Sequence, residues 1–246
     1  MKIGAQLYTV RDFCQNLDDF AETLKKIADI GYESVQVSGT CPYEAKWLQE
    51  QLKKNGLICA VTHNPPDKII NETQKVIDDH TIFDCDRIGL GWYGFNNEMP
   101  YENFISTYKP IAATIKENGK YFMYHNHDGE FQKIGGKTIL CKLAEDFNAD
   151  ELGFILDTYW IQAGGGDPAQ YVEMMSGRIP CIHLKDFSYG RKMEVIGEGN
   201  INFDRVFEKA AAGGTEYMLV EQDNCNGENP FDCLKRSYEF LKSRGF

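Results

Sequence analysis

Eight apolar runs, each followed by a stretch with helical periodicity, constrain the fold of this 246-residue chain more than any other feature. The runs fall at residues 2–8, 32–37, 57–62, 87–92, 121–127, 153–159, 180–185 and 217–221. The helical stretches follow at 17–30, 43–55, 67–79, 101–118, 138–147, 167–175, 203–212 and 230–242. In the first of these, Leu17, Phe20, Leu24, Ile27 and Ala28 recur at helical spacing and Gly31 supplies the stop. The strand-like runs are mostly continuous rather than alternating, as expected for parallel strands buried on both faces. Alternation of this kind predicts a parallel sheet, and a count of eight predicts closure into a (β/α)8 barrel of the α/β class, a single domain over residues 1–246. An open dinucleotide-binding sheet would need G-x-G-x-x-G after an early strand. The first strand leads instead into Tyr8-Thr9-Val10-Arg11-Asp12, and Gly164-Gly165-Gly166 reads as a loop after the sixth.

Charge and leader signals narrow the function classes. The formal charge of -11 and the pI near 5.0 oppose the counterion-release attraction behind most nucleic-acid binding. The start, from Met1 to Leu7, carries one cation and no sustained apolar region, so it reads as a strand and not a secretory signal. No apolar run approaches the roughly 18 residues that span a bilayer. Eight widely spaced cysteines without a CxxC pair read as reduced thiols in a cytoplasmic protein.

Barrel chemistry sits at the C-terminal ends of the strands. The fifth run leads into Tyr124-His125-Asn126-His127-Asp128-Gly129-Glu130-Phe131, the densest cluster of metal-binding and proton-transfer groups in the chain. Three later runs end in Asp157, His183 and Glu221. Three carboxylates converging on one barrel mouth would repel one another unless a cation joined them. Glu130, Asp157, His183 and Glu221 are therefore expected to hold one divalent metal ion, with manganese favoured and magnesium, cobalt or zinc as alternatives.

The segments Tyr124 to Phe131, Leu156-Asp157-Thr158-Tyr159-Trp160, His183-Leu184-Lys185-Asp186, Gly197-Glu198-Gly199 and Val220-Glu221-Gln222-Asp223 resemble the sugar phosphate isomerase/epimerase family over essentially the whole chain. The resemblance implies a xylose isomerase-like TIM barrel, in a family that includes ketose 3-epimerases and inosose dehydratases. It also implies a metal held by a strand-five Glu, a strand-six Asp, a strand-seven His and a strand-eight Glu. The last three carry over to Asp157, His183 and Glu221. Where ketose epimerases place the first, this chain has Tyr124-His125-Asn126-His127; the nearest carboxylate is Glu130, with His125 or His127 as replacements.

In the epimerase relatives two carboxylates on opposite faces move a proton next to a sugar carbonyl through an enediolate, whose charge a cation stabilises. Glu221 would serve one face here, and Glu130 or His127 the other. A histidine as second base makes β-elimination of water as plausible as epimerisation. Lys185, two residues past His183, points to the same side of its strand, either toward a substrate oxygen or into a salt bridge with Asp157 or Glu221. His63, Trp92, His125, Trp160 and Glu198 are the expected substrate contacts, the tryptophans by stacking on a sugar face and Glu198 from a glycine-flanked loop.

Asp186, Glu194, Glu198 and Asp223 crowd the region where barrels often bind phosphate, against only Arg191 and Lys192. A neutral sugar, polyol or glycoside-derived ketone is thus the expected partner, with a homodimer reasonable from the resemblance. The leading function is a metal-dependent carbohydrate isomerase or epimerase, followed by a keto-sugar or inosose dehydratase and then by a non-catalytic sugar-binding barrel. An endonuclease of the related apurinic type is disfavoured by five histidines and a charge of -11.

Overall fold

A computed structural model describes residues 1–246. The eight apolar runs form parallel strands: β1 (Lys2–Gln6), β2 (Ser34–Val37), β3 (Ile58–Asn64), β4 (Arg87–Leu90), β5 (Tyr121–His125), β6 (Leu152–Asp157), β7 (Cys181–Leu184) and β8 (Tyr217–Val220). Each pairs with its neighbours in sequence, and β1 pairs with β8 from Lys2 opposite Tyr217 to Ala5 opposite Val220, which closes the expected (β/α)8 barrel. Closure leaves no strand edge unpaired. Burial divides between two layers. A cluster of seven residues, Ala60, Val61, Met123, Ile155, Cys181, Tyr217 and Leu219, fills the barrel, while a cluster of 55 packs the strands against the outer helices. Continuous apolar runs are the consequence, since inward and outward side chains are both dry.

Several strands stop sooner than their apolar runs. The run at 153–159 ends its strand at Asp157, and Thr158–Ala163 is an additional helix. Its β-prone Thr, Tyr, Trp and Ile are overruled by a local cap, in which Asp157 Oδ1 accepts from the Trp160 N–H at 3.0 Å. The stretch 67–79 is two helices, Pro66–Asn71 and Thr73–Ile82, broken where Glu72 leaves helical geometry at φ -130°. No helix is long and apolar enough to cross a membrane.

The long loop after β7 is not featureless. Asp186–Ser188 pairs antiparallel with Lys192–Glu194. Beneath this hairpin, the buried Asp186 carboxylate accepts four backbone N–H groups: Phe187 at 2.8 Å, Gly197 and Gly199 at 2.9 Å, and Ile201 at 3.2 Å. A Cβ on Gly199 would lie 2.4 Å from Asp186 Oδ1, so the loop reaches the carboxylate only because that residue is glycine. Replacing Asp186 by alanine strands four donors and is expected to cost roughly 2–4 kcal/mol in urea unfolding. Metal stoichiometry should be unchanged in that variant, because the loop lies outside the site described below.

His80 fastens the helix Thr73–Ile82 to β3. Its Nδ1–H donates to the Val76 carbonyl at 2.7 Å, which leaves Nε2 to accept from the Thr62 hydroxyl at 2.8 Å. Burial pushes its pKa down to about 4 from the ordinary 6.5. The unfolded chain takes up that proton first as pH falls. The stabilisation is therefore complete above pH 6.5, declines below it and is gone near pH 4, a loss of about 3 kcal/mol. Comparing urea midpoints at pH 7 and 4.5 for the native chain and His80→Gln will test this: the variant should lose part of the pH dependence.

Candidate metal centre

The ends of β5, β6, β7 and β8 are neighbours in the barrel wall, so the side chains they carry inward meet. His125 ends β5, Asp157 ends β6, His183 lies in β7 and Glu221 follows β8. All four are buried, and one donor atom from each lies within 4.8 Å of the other three. This group can hold a metal ion.

Hydrogen bonds outside the group fix which imidazole nitrogens face it. His125 Nδ1 lies 2.9 Å from the Gly91 carbonyl, which can only accept, so in the neutral ring Nε2 keeps its lone pair toward Asp157 Oδ2 at 3.3 Å. His183 Nε2 donates to Gln36 Oε1 at 2.6 Å, leaving Nδ1 as the free nitrogen. That Nδ1 faces Glu221 Oε2 at 2.9 Å, yet neither atom has an aligned hydrogen-bond partner. Lone pair against carboxylate oxygen is repulsive unless a proton or a metal ion lies between them. Burial opposes protonating His183, but Glu221 and Asp157 outweigh it and raise its pKa. A metal would claim the same lone pair. The donors therefore fit a cation, with the outer hydrogen bonds of a ligating histidine already in place.

Charge balance agrees. Lys185 Nζ is buried 3.0 Å from Asp157 Oδ2, 2.9 Å from Glu221 Oε2 and 3.1 Å from Asp223 Oδ1. Burial alone would raise the Asp157 and Glu221 pKa values, but the ammonium holds both well below the carboxylate range. The lysine is raised in turn, its three carboxylates outweighing its own burial. Asp223 is pushed up to about 6 by burial and by Glu221. Three carboxylates against one ammonium leave two negative charges when all are ionised, the charge a divalent cation would balance.

A pocket of ≈ 440 Å³ opens above this group, with His63, His125, His127, Lys185, Glu221 and Asp223 in its walls. Burial pushes the His127 pKa down to about 3, so the ring is neutral, and its Nδ1 has no hydrogen-bond partner.

Residues 24–244 match the profile of the xylose isomerase-like TIM barrels. The chain belongs to this family. It is 24% identical to the inosose dehydratase of Mesomycoplasma hyopneumoniae strain 7448, over 91% of this chain and 88% of that protein. Its fold is shared with a sugar phosphate isomerase/epimerase from Parabacteroides distasonis, with a TM-score of 0.86, 22% identity, and 99% and 94% of the two chains covered. It is also shared with the probable 3-DHS dehydratase AsbF of Bacillus anthracis, with a TM-score of 0.78, 16% identity and both chains covered in full.

Within this xylose isomerase-like barrel, Glu130 departs from the role expected of it. Its carboxylate accepts from the Tyr124 hydroxyl and, at 2.8 Å, from the His127 N–H, so it lies outside both the donor group and the pocket wall. His125 stands with Asp157, His183 and Glu221 instead. Trp160, expected to stack on substrate, packs behind the wall against the His127 ring at 5.1 Å, with Lys185 Nζ 5.5 Å from its centroid. Glu198 is not among the residues in the pocket wall and pairs with Arg236 at 2.9 Å; its flanking glycines serve Asp186. His63 and Trp92 do line the pocket. Sequence reasoning gave no role to Gln36, the Gly91 carbonyl or Tyr8, which the fold brings to the site from other strands.

Proposed function

We propose that the protein is a metal-dependent lyase that removes the proton beside the carbonyl of a keto-sugar or keto-polyol and expels an oxygen substituent from the next carbon. The observation that carries this reading is the identity of the groups facing the pocket. Glu221 lies on one side, and three strands round the barrel the proton-transfer group is His127, because Glu130 is turned away. A pair of opposed carboxylates, as an epimerase of the resembled kind would use, is therefore not in place across these two strands. The name of the curated relatives, inosose dehydratase, supports the same reaction class.

When bound by His125, Asp157, His183 and Glu221, a divalent cation would supply electrostatic stabilisation for charge developing on the carbonyl oxygen. Two imidazoles with two carboxylates make a softer set than the three-carboxylate set expected from sequence, suited to manganese, cobalt or zinc more than magnesium. His127 accepts the proton as the C–H bond breaks. The electron pair becomes the new C=C bond as the C–O bond breaks, and the departing oxygen takes a proton from Asp223 or Lys185. Trp160 packs against the His127 ring, and Glu130 accepts from the His127 backbone N–H, so together they hold that residue in place.

A second reading, an isomerase or epimerase, shares the first step and is favoured by Asp223, a further carboxylate in the pocket. Elemental analysis should find near-stoichiometric metal. Incubation with ketoses and keto-inositols in deuterated water, followed by proton NMR, separates the reactions. Loss of water with a new alkene signal supports the lyase; deuterium at an inverted carbon without loss of water supports the epimerase. Neither product, with the metal present, overturns both.

A further inference from the structure

We infer that the mouth of this pocket is a second subsite, built for a ring with an apolar face attached to the reacting sugar, so that the substrate is a two-ring keto-glycoside and not a free monosaccharide. This rests on the proposed function and extends it to the substrate class. The pocket changes character with depth. Its floor offers the imidazoles, carboxylates and ammonium described above, the groups that hydroxyls and a carbonyl require. Its more exposed lining residues are Tyr8, Pro65, Pro66 and Trp92, each of which carries a flat apolar face.

Two of those faces stand open to water, Tyr8 at 38% exposure and Trp92 at 55%, although both line the pocket. Each ring is held in position. The Arg11 guanidinium lies 4.4 Å from the Tyr8 ring centroid, and is itself anchored by donating to the Tyr8 carbonyl at 2.8 Å and the Asp223 carbonyl at 3.1 Å. The Trp92 indole rests on Gly94, where an added Cβ would lie 2.6 Å from the ring. Aromatic rings fixed at a pocket mouth, with one face free, stack on the flat faces of other rings at little cost in conformational freedom. Trp160 makes the contrast: it is not in the pocket wall and packs against the His127 ring. A monosaccharide bound on the floor leaves the rim rings wet. A second ring linked through oxygen covers them, and the volume of ≈ 440 Å³ falls within the usual range of about 300–1,000 Å³ for small-molecule pockets.

The second ring has two chemical sources, an aryl group or another sugar, and the test separates them. Methyl glucoside, phenyl glucoside and a glucose disaccharide, each oxidised to a ketone on the reacting ring, are titrated against the metal-loaded protein by calorimetry. The expected result is a Kd for at least one two-ring probe roughly tenfold below that of the methyl probe. Trp92→Ala and Tyr8→Ala should each bring that probe toward the methyl value, while near-UV circular dichroism shows the fold intact. A gain for the phenyl probe alone assigns an aryl group, and a gain for the disaccharide alone assigns a sugar. Equal affinity of all three probes, or a preference that survives both variants, overturns the subsite; turnover of the methyl probe would then leave the proposed reaction standing. No binding by any probe overturns both.

Discussion

Glutamine in place of Glu221 will release the metal and lower turnover by roughly 10²–10³-fold or more. The amide keeps the shape of the side chain but replaces a charged oxygen with a neutral one. In the native chain, Glu221 Oε2 has no aligned hydrogen-bond partner and lies 2.9 Å from both His183 Nδ1 and Lys185 Nζ. An atom so placed contributes through charge, and an amide cannot. Loss of metal affinity should exceed the 10–100-fold usual for residues that only support a ligand. The metal-free variant should still fold, because Lys185 retains Asp157 at 3.0 Å and Asp223 at 3.1 Å. Elemental analysis and steady-state kinetics on the same preparation decide the matter. Full metal occupancy with near-native turnover would remove Glu221 from the proposed chemistry.

The strands were legible because a barrel buries both of their faces, so each one is written as an apolar run. Three members of the donor group were legible for a related reason: Asp157, His183 and Glu221 interrupt apolar runs at the level where the barrel opens. The fourth was ambiguous between His125, His127 and Glu130, and the ambiguity has a physical source. Proximity along the chain says nothing about which side of the wall a side chain takes. Alternation does. Met123 belongs to the cluster inside the barrel and Tyr124 to the outer one, so His125 returns inward. Glu130 follows Tyr124, whose hydroxyl it accepts from, and so stays with the outer layer.

Glu198 misled for another reason. A charge between two glycines resembles a mobile functional loop, but those glycines allow the backbone to approach Asp186. Gln36 stands at the end of the second run, but nothing local gives it a role, since that role depends on His183, 147 positions further along the chain.

Lys185→Met will lower the stability of the metal-free protein by about 3–5 kcal/mol, the usual effect of removing one partner from a buried charge cluster. For a chain of this size that is a fall of roughly 10 °C in melting temperature. Methionine fills a similar volume, so the loss comes from charge: Asp157 and Glu221 are left buried without the ammonium that holds their pKa values down. A divalent cation and the ammonium claim the same two oxygens, Asp157 Oδ2 and Glu221 Oε2. Added manganese should therefore raise the melting temperature of the variant more than that of the native chain, since a cation that binds only the folded state stabilises in proportion to its affinity. Turnover should fall even so, because one of the two groups that can protonate a departing oxygen is gone and Asp223 loses the ammonium that positions it. Melting curves in chelator and in manganese separate these effects. Equal melting of variant and native chain in chelator would show that the carboxylates protonate instead of remaining charged, and that Lys185 is not what keeps the empty site ionised.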